Sequence, residues 1–267
     1  MLNVIVPTFG IRAENITALR SVLSQTLDPQ SDYRFVLCVD YNPSYHDGTL
    51  STETLLLGEM SNILSKRSLP PDAFAFTKQE FRVYALKNIV STVYSLNMHG
   101  PVVILDGDDE LCHPKALEFI KEAYEEGNMM AWTDMTSDDP TFGSNNGPMP
   151  VGADPYAYPW VSSHLRSFHT DILRRVDFQN FRDNEGYWFK RGYDQALMLP
   201  MLHVCKELGY KTKYIPEVCY KYNHFGSSTP QHEHTGGRYE SSIVNTVRQR
   251  GYVGDIKEIQ TKWPEIV

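Results

Sequence analysis

Asp106-Gly107-Asp108-Asp109-Glu110 sets four carboxylates around one glycine, directly after the apolar run Val102-Val103-Ile104-Leu105. Acids this close repel one another, and the repulsion opposes folding. A bound cation relieves it. Carboxylates with no His or Cys paired among them suit hard ions such as Mg²⁺ or Mn²⁺. Three of the four apolar residues are β-branched, so the run reads as a buried parallel strand. Open α/β sheets hold ligands at the carboxyl ends of such strands. The ligand that suits a hard cation there is a diphosphate. A structural alternative stands beside this one: an acidic turn in which Asp108 or Asp109 caps a helix beginning near Pro114.

Strands alternating with helices must position these acids. Leu2–Val6, Arg34–Val39, Ala73–Thr77, Val102–Leu105 and Met129–Thr133 have strand character. Helical spacing links Ile16, Leu19, Val22, Leu23 and Leu27, and again Leu55, Leu56, Met60, Ile63 and Leu64. A third helix is expected over about 82–97, with Leu86, Ile89, Val90 and Val93 on one face. A fourth starts at Pro114 and carries Leu117, Ile120 and Tyr124. The order implies an α/β fold with a mostly parallel sheet and right-handed crossovers. Beyond a long polar loop (136–159) come an aromatic and basic stretch, Trp160–Arg174, and a helix over about 194–208 that Pro200 kinks or starts. Tyr214–Tyr220 contains Pro216 and so reads as an edge strand. Residues 226–237 are rich in Ser, Gly, His and Thr, and a helical tail follows.

Composition narrows the function. The 267 residues carry 25 Lys and Arg against 33 Asp and Glu, a net charge of −8. Residues 1–150 hold 10 basic and 20 acidic side chains, net −10, and residues 151–267 hold 15 and 13, net +2. The acidic first half argues against indiscriminate nucleic-acid binding. No window is apolar enough for a transmembrane span, and the chain enters a strand at once. Cys38, Cys112, Cys205 and Cys219 form no C-x-x-C pair, which disfavours a zinc site or disulfide framework. A cytoplasmic protein is expected. No G-x-G-x-x-G follows the first strand and no P-loop occurs, so dinucleotide oxidoreductases and P-loop phosphotransferases are disfavoured.

Several short strings, in order, resemble one family: the GT-A fold glycosyltransferases of family 2. Val4-Ile5-Val6-Pro7-Thr8-Phe9-Gly10 is similar to that family's first strand and nucleotide loop. Ser24-Gln25-Thr26-Leu27 resembles the end of its first helix, and Val36–Asp40 its second strand. Leu86-Lys87-Asn88 resembles its Ala-Arg-Asn, with lysine replacing arginine, and Asp106-Gly107-Asp108 takes the place of its D-x-D motif. Tyr41-Asn42-Pro43-Ser44 departs from the usual second acid and Gly-Ser turn. Ser162–Phe168, Tyr193–Met198, Ile215–Val218 and Tyr222-Asn223 resemble a bacterial and viral subgroup.

The resemblance implies a Rossmann-like GT-A domain with a nucleotide-sugar half (1–110), an acceptor and catalytic half (111–225) and a C-terminal tail (226–267). It implies an inverting, metal-dependent transfer of a hexose or pentose from a nucleoside diphosphate, a uridine diphosphate sugar, to a glycan-type hydroxyl. Pro7, Thr8, Phe9, Gly10 and Asp40 would bind the nucleotide, with Asp40 facing the base. Asp108 is the expected direct ligand of Mn²⁺ or Mg²⁺, Asp106 serves the ribose or the metal's water shell, and Gly107 separates them. Asp194 occupies the position of the catalytic base, and its structural alternative is a helix N-cap. His224 sits where some members place a further metal ligand. Arg12, Arg82 and Lys87 are candidates for the phosphates, or else solvated helix-face charges. Trp160, His164 and Arg166 are candidates for the acceptor side, with core packing the alternative for Trp160.

Two other functions fit the same residues. One is a transferase acting on hydroxylated bases of viral DNA, with Arg166, Arg174, Arg175, Arg182, Lys190 and Arg191 tracking phosphates. The other is a non-catalytic nucleotide- or sugar-binding module, which would leave Asp106, Asp108 and Asp194 unexplained together.

Overall fold

The computed structural model describes residues 1–42, 52–66, 69, 73–224 and 236–263. The first half alternates β1 (Leu2–Phe9), α1 (Glu14–Leu23), β2 (Tyr33–Asp40), α2 (Thr52–Ser65), β3 (Phe74–Lys78), α3 (Tyr84–Ser95) and β4 (Pro101–Ile104). The second half contains β5 (Glu110–Leu111), α4 (Ala116–Glu125), β6 (Asn128–Ser137), β7 (Arg166–His169), α5 (Thr170–Leu173), α6 (Tyr193–Glu207), β8 (Lys211–Tyr222) and α7 (Gly236–Arg250). One eight-stranded sheet runs in the order β3-β2-β1-β4-β7-β6-β8-β5. Four of its seven pairings are parallel: β3–β2, β2–β1, β1–β4 and β6–β8. The fold is α/β.

β1 and β2 are buried along nearly their whole length, as central parallel strands covered on both faces must be. Successive side chains divide between two cores. Ile5, Val36 and Cys38 point into one with α3 and α6, and Val4, Val6, Phe35 and Leu37 into the other with α1 and α4. On α3 the residues Leu86, Ile89, Val90 and Val93 are fully buried, a 3.6-residue stripe worth about 1.5–3 kcal/mol per side chain. Their burial seats the first turn of α3 beside the carboxyl end of β2.

Four expectations need correction. Neither Asp108 nor Asp109 caps the next helix: the chain enters β5 directly, where Glu110 pairs with Lys221, and α4 starts at Ala116 without a side-chain cap. Trp160–Arg174 contains β7, whose antiparallel pairing inserts Arg166 between Ile104 and Trp132. β8 is not wholly an edge strand, because β5 pairs along its end; Pro216 lies where its register against β6 shifts between Ile215 and Val218. A proline tolerates that place because no ladder hydrogen bond is demanded of it. α6 runs through Pro200 rather than starting there.

The polar loop after β6 is tied down by Asn146, whose side chain donates to Thr133 O at 2.8 Å and accepts from Ser163 N at 2.9 Å. The C-terminal residues join the core. Ile243 and Val247 of α7 are buried, and Trp263 stacks on Trp188 with ring centroids 5.9 Å apart. His232 and His234 lie outside the described residues. No helix among the described residues is long and apolar enough to cross a membrane.

Candidate active site

A cleft of about 230 Å³ opens at the carboxyl ends of β1, β2 and β4 and at the start of α6. Pro7, Thr8, Phe9, Arg12, Asp40, Arg82, Asp106, Gly107, Asp108, His164, Arg166 and Asp194 all line it. Gly10, Lys87, Trp160 and His224 do not. Gly10 instead turns the chain at φ 71°, with its N–H on Asp40 O at 3.1 Å. Lys87 lies half-buried on α3, one residue before the cleft-lining Asn88. Trp160 leans on the core.

The β1 wall is held by a residue the sequence did not single out. Asn15, fully buried at the start of α1, accepts from Arg12 N at 2.8 Å and donates to Gly107 O at 2.8 Å and to Thr8 Oγ1 at 3.1 Å. It joins the end of β1 to the acidic turn after β4. Gly107 must be glycine there: a Cβ would stand 2.7 Å from Asn15 Nδ2 and 2.9 Å from Pro7 O. Its only sequence signal is the glycine between two aspartates.

Asp40 ends β2 and spans to α3. Oδ1 accepts from Tyr41 N at 2.9 Å and Val83 N at 2.7 Å, and Oδ2 accepts from Tyr84 N at 2.8 Å. A carboxylate on the first N–H groups of a helix also complements its dipole. Arg82, next to this junction, lies over the rings of Phe9 and Tyr84 at 4.1 and 4.5 Å. Those contacts hold its guanidinium at the cleft mouth.

Asp106 is held by two side chains. Arg166 Nη2 donates to its Oδ2 at 2.9 Å, and the Tyr193 hydroxyl donates to its Oδ1. Arg166 Nη2 also donates to Tyr193 Oη at 2.5 Å, and its guanidinium lies 4.7 Å over the Tyr193 ring. Burial pulls the Arg166 pKa down, but Tyr193 and Asp106 outweigh it and hold the pKa above the ordinary guanidinium value. His164 is buried against the Tyr220 ring at 4.5 Å, with Nδ1 3.7 Å from Asp106 Oδ2. Burial first, and then the Arg166 charge, push the His164 pKa well below 6.5, so the imidazole is neutral.

Asp109 turns away from its neighbours and bonds to the Tyr220 hydroxyl and to Asn223 N, the latter at 2.8 Å. Burial, then the charges of Asp106 and Asp108, raise its pKa to about 8. His224 pairs with the loop after β6: its Nε2 stands 3.7 Å from Asp139 Oδ2. His224 is not among the residues that line the cleft with Asp106 and Asp108. Among the described residues, no three His, Cys, Asp or Glu side chains form a ready metal cage.

Asp194 sits in the first turn of α6, behind Gly192 in the left-handed conformation at φ 59°. Burial raises its pKa above the ordinary carboxylate value, and the Arg166 charge opposes the rise. Five acids and five cations line the cleft, the cations being Arg12, Arg82, Arg166, Lys190 and Arg191. An anionic ligand is therefore not repelled by the cluster as a whole.

No protein-family model and no curated protein matches the chain. Solved structures do. The mannosyltransferase PcManGT from Pyrobaculum calidifontis, in complex with GDP-Man and Mn²⁺, matches with TM-score 0.61 at 15% identity, over 96% of this chain and 65% of that one. TarS 1-349 from S. aureus, in complex with UDP-GlcNAc, matches with TM-score 0.59 at 13% identity, over 95% and 68%. The chain shares their fold. It covers 60% of another TarS 1-349 structure and 36% of a longer TarS.

Proposed function

We propose that this chain is an inverting glycosyltransferase that moves a sugar from a nucleoside diphosphate, a uridine diphosphate sugar, to a glycan-type hydroxyl with help from a divalent cation. One observation carries the reading. Asp40 and the Asp106–Asp108 turn lie at the carboxyl ends of the two parallel strands that flank β1, in the same cleft that Asp194 enters from the start of a helix. Proteins of the same fold have been solved with UDP-GlcNAc, and with GDP-Man and Mn²⁺.

The donor set suits a cation shared with a substrate. Mg²⁺ and Mn²⁺ are commonly held by one or two carboxylates plus substrate phosphates, without a full protein cage. Asp106 and Asp108 both line the cleft, and Arg166 and Tyr193 hold Asp106. Asp108 is the ligand that the family resemblance implies, and Asp106 orients the turn that presents it. Bound with the diphosphate, the ion supplies Lewis-acid stabilisation of the leaving phosphate. Arg82, Lys190 and Arg191 add positive charge on the donor's side. Asp40 and the backbone of Pro7–Phe9 form the nucleotide end.

Asp194 accepts the proton of the acceptor hydroxyl as that oxygen attacks the anomeric carbon. Burial makes its carboxylate a stronger base than an exposed aspartate, and the neighbouring Arg166 charge opposes that rise. Two of the six residues proposed as a basic track for DNA lie inside the fold: Arg166 and Arg174 are each 1% exposed, and Arg174 donates to Met98 O at 2.8 Å. That favours a glycan hydroxyl as the acceptor.

Incubating the protein with UDP-glucose, UDP-N-acetylglucosamine and GDP-mannose, with and without Mn²⁺, tests the reading. Release of the nucleoside diphosphate that depends on Mn²⁺ and on Asp108 is expected. Failure of every donor to bind by calorimetry would remove the proposal.

A further inference from the structure

Asp194 belongs to two clefts. Besides the one already described, it lines a second opening together with Gln195 of α6 and Ser241, Val244 and Asn245 of α7. Asp194 is the residue the two openings share, one bounded by α7 and the other by the strand ends.

Gln195 is built into this opening. It is 9% exposed, and its Oε1 accepts from Arg248 Nε at 2.7 Å. Arginine has only donors, so this bond fixes which end of the amide faces Arg248. The Nε2 group, with two N–H donors, is left without a hydrogen-bond partner among the described residues. Arg248 is itself anchored, donating from Nη1 to Tyr156 O and Tyr158 O, both at 2.9 Å. An amide held in this way keeps its Nε2 N–H groups available to an oxygen that enters the opening.

We infer that the α6–α7 opening is the acceptor subsite, that it takes a neutral, hydroxyl-rich carbohydrate, and that Gln195 Nε2 is its inner hydrogen-bond donor, with Arg248 as the positioning residue. The inference rests on the transferase reading above. The chemistry of the lining selects the class of ligand. Amides and a hydroxyl match sugar hydroxyls, and Val244 supplies a small apolar contact for a sugar's C–H face. The one charged lining group is Asp194, and no cation lines the opening among the described residues, so a polyanion such as DNA has no counter-charge there.

The test separates transfer from donor hydrolysis. Donor turnover with Mn²⁺ is measured with water alone, with cellotriose, maltotriose and chitotriose, and with duplex DNA carrying hydroxymethylcytosine. Asn245→Trp, at an exposed position of α7, fills the opening without touching the core. It should lower the ratio of transferred to hydrolysed sugar at least tenfold, and Gln195→Leu should raise the acceptor KM more than it changes kcat. Gln249→Trp, exposed on the same helix and outside the opening, should leave the ratio as in the natural protein. Equal ratios in Asn245→Trp and the natural protein overturn the inference, as does transfer to DNA alone or to none of the oligosaccharides. Absence of donor turnover altogether would instead defeat the transferase reading.

Discussion

Asp106 and Arg166, 60 residues apart in the chain, meet at 2.9 Å across the junction of β4 and β7. Arg166 is 1% exposed and lies between two strands, so its charge is matched inside the protein. The pair fastens the acidic turn to the residue before Asp194, since Tyr193 bonds to both partners. The acidic turn and the start of α6 are one hydrogen-bonded unit.

Arg166→Met should therefore destabilise the fold by about 3 kcal/mol, because it strands a partly buried carboxylate. Asp106→Asn added to it should recover part of the loss. Chemical denaturation of the two single variants and the double variant measures the coupling. Additive effects would mean that the two residues do not interact energetically.

Asp194→Asn should bind UDP with Mn²⁺ as tightly as the natural protein while losing about 10²-fold or more in transfer rate, the contribution expected of a general base. Calorimetry and single-turnover rates separate the two effects. Transfer at an undiminished rate takes Asp194 out of the mechanism.

The rate should fall on the acid side as Asp194 takes up a proton. Burial raises its pKa, so this limb lies above the ordinary aspartate value of 3.8. A pH profile of kcat/KM from pH 4 to 8, with a donor in excess, checks the direction. A limb at or below the ordinary value would contradict the buried environment of Asp194.

UDP with Mn²⁺ should raise the melting temperature, and chelation should abolish most of the gain. At a hundredfold excess over Kd, such binding contributes about 2.7 kcal/mol. Asp108→Asn should remove the Mn²⁺-dependent part. An unchanged shift in that variant would place the ion elsewhere.

His164 predicts the shape of acid unfolding. Its folded pKa lies well below the unfolded value of 6.5, so the folded chain refuses a proton that the unfolded chain accepts. The stability it contributes is present above 6.5 and declines as pH falls from there towards the folded pKa, at up to about 1.4 kcal/mol per pH unit. His164→Phe keeps a ring beside Tyr220 and should flatten that decline. Urea midpoints at pH 5 and 7 measure it.

The expected strand ends and the cleft at β1, β2 and β4 were legible because central parallel strands are continuous apolar runs, and an acid or glycine stops them abruptly. The helix carrying Asp194 was legible for a similar reason, through its apolar continuation Ala196-Leu197-Met198. β7 was not. Its sequence, Arg166-Ser167-Phe168-His169, is polar at three of four positions, and it becomes a strand only because β4 and β6 supply ladder partners on both sides. Asn15 was missed for the same kind of reason: a buried amide has no sequence pattern, and its value lies in the three groups it joins.

From its own residues, then, the sequence determined a parallel α/β framework and the carboxylates that crowd its strand ends, since burial periodicity and charge repulsion are local properties of the chain. Tertiary structure alone decided which of those carboxylates are already engaged. Asp106 is held by Arg166 and Tyr193, Asp109 is turned to Tyr220, and His224 is drawn to Asp139. Each of those partners comes from a distant segment, and a side chain's role depends on the charges and donors that folding brings within a few ångströms of it.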